Sequence, residues 1–299
     1  MKISQGTKIA KELGVGLNPF ETLRRIGYDA CDYGEPDSMF DSHDPVYFAN
    51  DDTFLRYFEE QYSLAREAGI VVGQVHAPYP TLAHAGYSDE EVLDGIRRAI
   101  VVASVMHAPY LVVHPAQPHE WANDDEPEKT KELNYNLFSS LIPTAREYGI
   151  ILALENMPAH VGHIPCSSPD EWRAYVDMMN SDCFAACFDS GHANMARNYI
   201  DSPKKYTIDD YIHTMGNRIR CVHIHDNDGN GDDHTILGTC TTGSIPWKNL
   251  ISALKNIGYA GTFNLESYYS TRLPVKIRPE AEKFQYDFIR SILEEEEFL

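Results

Sequence analysis

Six apolar runs in this chain each end in an acid or an imidazole: VVGQVH, YLVVH, ILALE, FAACFD, IRCVH and FNLE. Their last residues, His76, His114, Glu155, Asp189, His223 and Glu266, recur roughly every 34 to 43 residues, about the length of one strand–helix unit in an eight-stranded barrel. Runs such as LVVH, ILALE and IRCVHIH are apolar almost throughout, the texture of parallel strands covered on both faces. Parallel strands of one sheet end on the same side, so this register predicts that the six donors converge at a single mouth. A converging set of oxygen and nitrogen ligands describes a divalent-metal site and points to an enzyme.

Between these runs the apolar spacing changes to a helical period, as in Phe54, Leu55, Phe58, Tyr62 and Ala65 of a helix predicted over Thr53–Ala68 and stopped by Gly69. The predicted strands are Lys2–Gly6, YDACDYG ending at Tyr33 and Gly34, Val71–His76, Tyr110–His114, Ile150–Glu155, Phe184–Asp189, Ile219–His225 and Gly261–Glu266. The intervening helices start with a short one capped by Asn18 with Pro19 behind it. They continue with Thr53–Ala68, Asp89–Met106, Pro127–Tyr148, Pro169–Met179, Ile208–Met215 and Trp247–Ile257, and a last helix runs from Pro279. Ser88 and Ser168 precede acidic first turns and read as N-caps. Eight β-then-α units close a barrel, so residues 1–299 are expected to form one α/β domain, a (β/α)8 TIM barrel. Its longest insertions, Ala116–Glu126 and Asn227–Ile245, fall after strands four and seven, on the face where such barrels build substrate loops.

The formal charge of −20 repels phosphate backbones, and no basic cluster exceeds the pairs Arg24–Arg25, Arg97–Arg98 and Lys204–Lys205. Nucleic acid is therefore not an expected partner. No apolar run is long enough to span a bilayer, the first residues MKISQGTKIAKELG carry no secretory pattern, and six cysteines without a C-x-x-C pair read as reduced structural thiols. Together these predict a cytoplasmic protein without membrane attachment.

Glu155, Asp189, His223 and Glu266 would suit Mn²⁺, and also Mg²⁺, Co²⁺ or Zn²⁺. A lone buried acid is ordinarily satisfied by an arginine. A set at one register would repel itself, and a cation is the simplest way to keep all its members ionised.

The segments H-A-P-Y, V-V-H-P, A-L-E-N, F-D-S-G-H, H-I-H-D-N-D-G, D-D-H-x-x-L-G and N-L-E-S resemble the xylose isomerase-like TIM-barrel superfamily, and most of all its sugar (phosphate) isomerase/epimerase branch. The likeness runs from the first strand to Glu266. It implies one metal ion, usually Mn²⁺, held by Glu155, Asp189, His223 and Glu266, with Glu155 and Glu266 also the acid/base pair. One glutamate takes a carbon-bound proton beside a metal-polarised carbonyl, and the other returns it through an enediolate. It further implies that His192 touches substrate hydroxyls. His76, His114 and His234 are read as acting on sugar hydroxyls too, and His225, which shares strand parity with His223 and so points to the same side, as another substrate contact. Asp226 either orients His223 or caps its loop. Trp121, Tyr79 and Trp247 are stacking candidates for a sugar ring, with Trp247 reading as a packing residue at a helix start. The strand-seven loop runs Asp226, Asn227, Asp228, Gly229, where some relatives carry a phosphate-binding arginine, so a neutral sugar or sugar conjugate is expected.

Two other readings use the same residues. Metal-dependent lyases and dehydratases of sugars, inositols or sugar conjugates share the glutamate pair and differ in eliminating instead of returning the proton. Endonuclease IV-type enzymes hold three zinc ions, and His76, His114, Glu155, Asp189, His192, His223, Asp232, His234 and Glu266 provide a candidate for every ligand; the acidic charge and cation-poor strand-end loops oppose that reading. The expected partner is a small-molecule sugar, and a homo-oligomer is compatible with the sequence.

Overall fold

The computed structural model describes residues 1–79, 87–117, 124–159, 162–199, 205–243 and 245–297. Eight strands, β1 (Ile3–Gly6), β2 (Ala30–Tyr33), β3 (Val71–His76), β4 (Tyr110–Val113), β5 (Ile151–Glu155), β6 (Phe184–Asp189), β7 (Ile219–His223) and β8 (Phe263–Leu265), run parallel in the order β7-β6-β5-β4-β3-β2-β1-β8. The ring is completed beyond the end of β7, where Ile224 bridges Leu265 in parallel and its amide donates to the Asn264 carbonyl at 2.8 Å. The expected single-domain (β/α)8 barrel is the fold observed.

Around it lie α1 (Thr7–Glu12), α2 (Pro19–Ile26), α3 (Glu35–Asp41), α4 (Asp51–Ala68), α5 (Asp89–Val105), α6 (Pro127–Tyr148), α7 (Pro169–Met178), α8 (Ser190–Tyr199), α9 (Ile208–Met215), α10 (Trp247–Asn256) and α11 (Arg278–Glu297). Their starts follow the expected chemistry. Asn18, Ser88 and Ser168 each accept from the backbone N–H three residues on, and Ser88 forms a full capping box with Glu91. Gly69 ends α4 at φ 70°, a left-handed turn without a β-carbon penalty. Among the described residues no helix is long and apolar enough to cross a membrane.

Three helices escape the periodic pattern: α1, α3 and α8 follow directly on β1, β2 and β6. The first two are shorter than the window in which a helical period is recognisable. The third, SGHANMARNY, is rich in weak helix formers but is buried along most of its length, so packing holds it. All three bring side chains to the mouth.

Candidate active site

Side chains two apart on a strand share a face. Asp32 on β2 is reached by Gln74 of β3 at 2.9 Å, by Asn264 of β8 at 3.2 Å and by His223 of β7 at 3.0 Å, all on Oδ2. β2 and β7 are not neighbours, so these contacts cross the barrel interior and fix which strand positions point inward. By the same parity Glu155, Asp189 and Glu266 face the interior at its C-terminal end.

Each of Glu155, Asp189, His223 and Glu266 offers one donor atom within 4.8 Å of all the others. Glu155, Asp189 and His223 are essentially inaccessible and Glu266 is slightly open to the mouth. The His223 imidazole donates Nε2–H to Asp32, which directs its Nδ1 into the cluster, 3.1 Å from Glu155 Oε2 and 3.1 Å from Glu266 Oε2. That Nδ1 makes a hydrogen bond to neither, and Asp189 Oδ2 is likewise buried and unpartnered. Two donors each about 2.1 Å from one ion and at right angles lie about 3 Å apart, so the spacing is that of ligands around a cation. The donor set fits a divalent metal, with Asp32 holding the histidine from behind. Burial alone would raise Glu155 and Glu266, yet the neighbouring imidazoles, His223 foremost, hold both carboxyls well below the usual range. Both are carboxylates at neutral pH.

The loops around this cluster are tightly specified. Asn156 clamps β5 to β6, its amide donating to the Asp189 carbonyl at 3.0 Å while its oxygen accepts from the Asp189 amide at 2.8 Å. Ser190 links the α8 start to His225 through its amide and carbonyl. At Gly191 an added β-carbon would lie 1.9 Å from the His225 ring, which accounts for glycine in the D-S-G-H run.

The remaining expected residues divide between two places. His76 and His114 adjoin Glu155: His76 Nδ1 donates to the Ala77 carbonyl, leaving Nε2 3.2 Å from His114 Nε2, which is 3.0 Å from Glu155 Oε2. Burial, with His114 nearby, lowers His76, so it stays a neutral imidazole. His192, His225 and His234 gather instead with Asp232 in a second cluster whose donors also lie within 4.8 Å of one another. His225 stacks on His234 at 3.7 Å and sits 3.1 Å from Asp189 Oδ1. Asp232 outweighs the effect of burial and pushes His234 up to about 9. Strand β7 ends at His223, Ile224 still bridges Leu265, and His225 reaches the same mouth as His223. Asp226 is buried and accepts from the amides of Gly238 and Ile245, so it organises the strand-seven insertion and does not touch His223's Nε2, which Asp32 occupies. Trp247 packs on Phe288 with 8% exposure, as a packing residue should. Tyr79 lies edge-on to His114 at 4.2 Å. Trp121 lies outside the described residues.

Sequence reasoning missed Asp32 and the pair Lys8–Asp37, which line a cavity beside Glu266. The signal for Asp32 was its inward parity in ACDY, hidden because that strand continues past it to Tyr33. Two cations of the helices that follow strands reach this end of the barrel: Lys8 of α1, and Arg197 of α8, whose guanidinium donates to the Asp228 and Gly243 carbonyls.

Residues 20–292 match the family described as xylose isomerase-like TIM barrel. An uncharacterised protein of Methanocaldococcus jannaschii is 32% identical over 197 residues, 64% of this chain and 63% of that protein, so the chain spans somewhat under two thirds of that relative. The fructoselysine 3-epimerase of Shigella flexneri is 26% identical over 222 residues, 74% of this chain and 73% of its own. Among solved structures, a D-tagatose 3-epimerase-like protein superposes with a TM-score of 0.72 at 22% identity, covering 99% of each chain. A D-psicose 3-epimerase does so at 0.73 and 14% identity, covering 98% of this chain and 99% of its own.

Proposed function

We propose, from the premise that this chain belongs to the xylose isomerase-like TIM barrel family, that it is a divalent-metal-dependent sugar epimerase or isomerase acting on a ketose or ketose derivative. The observation that carries the reading is His223: its Nε2–H is fixed on Asp32, and its unpartnered Nδ1 faces one oxygen of each glutamate at 3.1 Å. The names of the relatives, sugar 3-epimerases, agree with it.

Glu155, Asp189, His223 and Glu266 would hold the ion. When bound, a divalent metal, Mn²⁺ by preference for this oxygen-rich set, supplies Lewis acidity that polarises a carbonyl and acidifies the adjoining C–H. Glu155 and Glu266 approach His223 from β5 and β8, so they can address opposite faces of a carbon held between them. One carboxylate removes the proton from that carbon; the other, a carboxylate at rest, first takes a proton from solvent and delivers it to the opposite face, inverting the carbon, and the proton gained by the first returns to solvent. His192 fixes its Nδ1–H on the Asn156 carbonyl at 2.7 Å and orients substrate hydroxyls with the rest of the ring. Burial of the cluster excludes water that would otherwise quench the carbanion.

The test combines metal analysis with turnover of a ketose panel in D₂O. One ion per chain, deuterium entering the inverted carbon, and loss of about a thousandfold or more in Glu155→Gln and Glu266→Gln with the fold intact are expected. Substantial activity in either variant removes the mechanism, and a new carbonyl absorbance without an isomeric sugar means elimination instead.

One observation favours a second reading: the cluster of His192, His225, Asp232 and His234 offers further metal donors beside the first site. About three zinc ions per chain with nicking of abasic DNA would establish a multinuclear phosphodiesterase. The net charge of −20 opposes it.

A further inference from the structure

Glu155 and Glu266 both face His223 Nδ1, but they are held differently. Glu155 Oε2 lies 3.0 Å from His114 Nε2 and 3.1 Å from His223 Nδ1, and its Oε1 lies 3.5 Å from a His192 ring whose Nδ1–H is committed to the Asn156 carbonyl. Glu266 divides its two oxygens between different neighbours: Oε2 lies 3.1 Å from His223 Nδ1, and Oε1 accepts the Tyr268 hydroxyl at 3.2 Å. A phenol keeps its proton at neutral pH, so Tyr268 is the donor.

Tyr268 is fixed from outside the donor cluster. It stands two residues beyond Glu266 and heads the helical turn Tyr269–Arg272, where Thr271 donates its amide and its hydroxyl to the Tyr268 carbonyl at 3.1 and 2.7 Å. On either side, Ser267 Oγ bonds the His234 and Thr235 carbonyls and the Tyr269 amide also reaches the His234 carbonyl. The Tyr268 ring lies 5.0 Å from the His234 ring. All of these contacts use the backbone or the ring, and a phenylalanine would keep them. Among the described residues the hydroxyl has one hydrogen-bond partner, Glu266. Tyr268 and Glu266 line the same cavity at the mouth.

A carboxylate grips a hard cation with one oxygen or with both. With both engaged, neither oxygen is left to work as a base. With one engaged, the other can accept a hydroxyl and still receive a proton, because each carboxylate oxygen has two acceptor positions. Swinging Oε1 in towards the cluster would break its bond to Tyr268. We infer that Tyr268 is a positioning residue that holds Glu266 to ligation through Oε2 alone and keeps Oε1 free for proton transfer. The inference rests on the epimerase reading for the use made of Oε1, while the mode of ligation is independent of any reaction. Glu155 has no hydroxyl of this kind among the described residues, so the two glutamates are not interchangeable.

The experiment compares Tyr268→Phe with the unaltered full chain in Mn²⁺ affinity by calorimetry, in relaxation of water protons by the bound Mn²⁺, and in turnover of the best substrate of a ketose panel. Without the hydroxyl, Glu266 should bring both oxygens to the ion and displace a water from it. Affinity should be unchanged or tighter and the relaxation should fall. kcat should drop about 10- to 100-fold with KM within about threefold. A residue that merely held its loop would instead loosen the metal and lower the unfolding temperature. Weaker Mn²⁺ binding, unchanged relaxation, or kcat within about twofold of the unaltered chain overturns the inference. Absence of ketose turnover in the unaltered chain, with the Mn²⁺ differences intact, sinks the epimerase reading alone.

Discussion

The barrel interior has two ends built on the same strands and differing by one step of the pleat. Val112, Ala153, Cys187 and Cys221 form a small apolar layer, all at most 1% exposed. Two residues further along each strand, about 6 to 7 Å, stand His114, Glu155, Asp189 and His223. Backbone geometry and burial are the same for both layers. Only the side chains differ, and with them the state of their polar atoms: the lower layer has almost none, while the upper holds unpartnered atoms at His114 Nδ1, Asp189 Oδ2 and His223 Nδ1. Isolated buried atoms without partners also occur elsewhere, as at Thr22 Oγ1, Tyr175 Oη and Trp247 Nε1, but in the upper layer they lie within one converging donor cluster, where a ligand can complete them. On the proposed function, the lower layer serves stability and the upper serves chemistry.

Isosteric exchanges in the two layers should therefore separate the two properties. Asp189→Asn keeps an oxygen for the His192 amide, which Oδ1 now receives at 2.7 Å, but removes a charge from the donor set. Turnover should fall about a hundredfold or more, with thermal unfolding in chelator little changed. A large loss of stability with intact kcat would reverse the assignment of the layers. The converse exchange, Cys221→Asp, puts an acid among Ala153, Cys187 and Val112. Stability in urea should drop by about 3 kcal/mol or more, since the carboxyl would be buried in an apolar layer, while the folded fraction keeps its kcat. An unchanged midpoint would mean that the lower layer is not dry.

The upper layer was legible where a strand run stops on its functional residue. Glu155, Asp189 and His223 end β5, β6 and β7, and Glu266 follows β8 directly, so register alone grouped them. Asp32 was not legible because nothing local marks it: its role depends on β7, 191 residues away in sequence. Lys8 and Asp37 lie on helices too short for a periodic signature, and their shared cavity exists only once β1, β2 and β8 are side by side. His225 lies two residues beyond His223, where Ile224 still bridges Leu265, and its side chain reaches the same mouth while Ser190 holds its backbone. Local pattern carries elements and their ends, and contacts between distant strands carry the rest.

Asp32 offers a sharper cut within the upper layer, because it holds a donor without belonging to the donor set. Asp32→Asn presents either an amide N–H or a weaker acceptor to His223 Nε2 and loosens the tautomer that points Nδ1 at the glutamates. Metal affinity should weaken by about 10- to 100-fold, with kcat at saturating metal falling less. Unaltered affinity would show that His223 needs no support.

A third buried polar group tests whether open atoms, and not burial alone, mark the chemical layer. Glu282 of α11 is fully buried, but four neutral donors satisfy it: Gln5, Tyr28, Gln285 and Ser270. Burial outweighs those bonds and raises its carboxyl above the ordinary value. A carboxyl raised in the folded state is neutral in both states at low pH; as pH climbs past the ordinary glutamate value the unfolded chain releases its proton first, so stability declines until the folded group also ionises. Glu282→Gln should flatten that decline on the alkaline side of pH 4.5 while leaving ketose turnover and metal affinity unchanged, a small effect read from urea midpoints between pH 4 and 8. Should the substitution instead reduce metal affinity, the α11 clasp on β1 would be part of the upper layer's support, and satisfaction of polar atoms would no longer separate structural from chemical sites in this barrel.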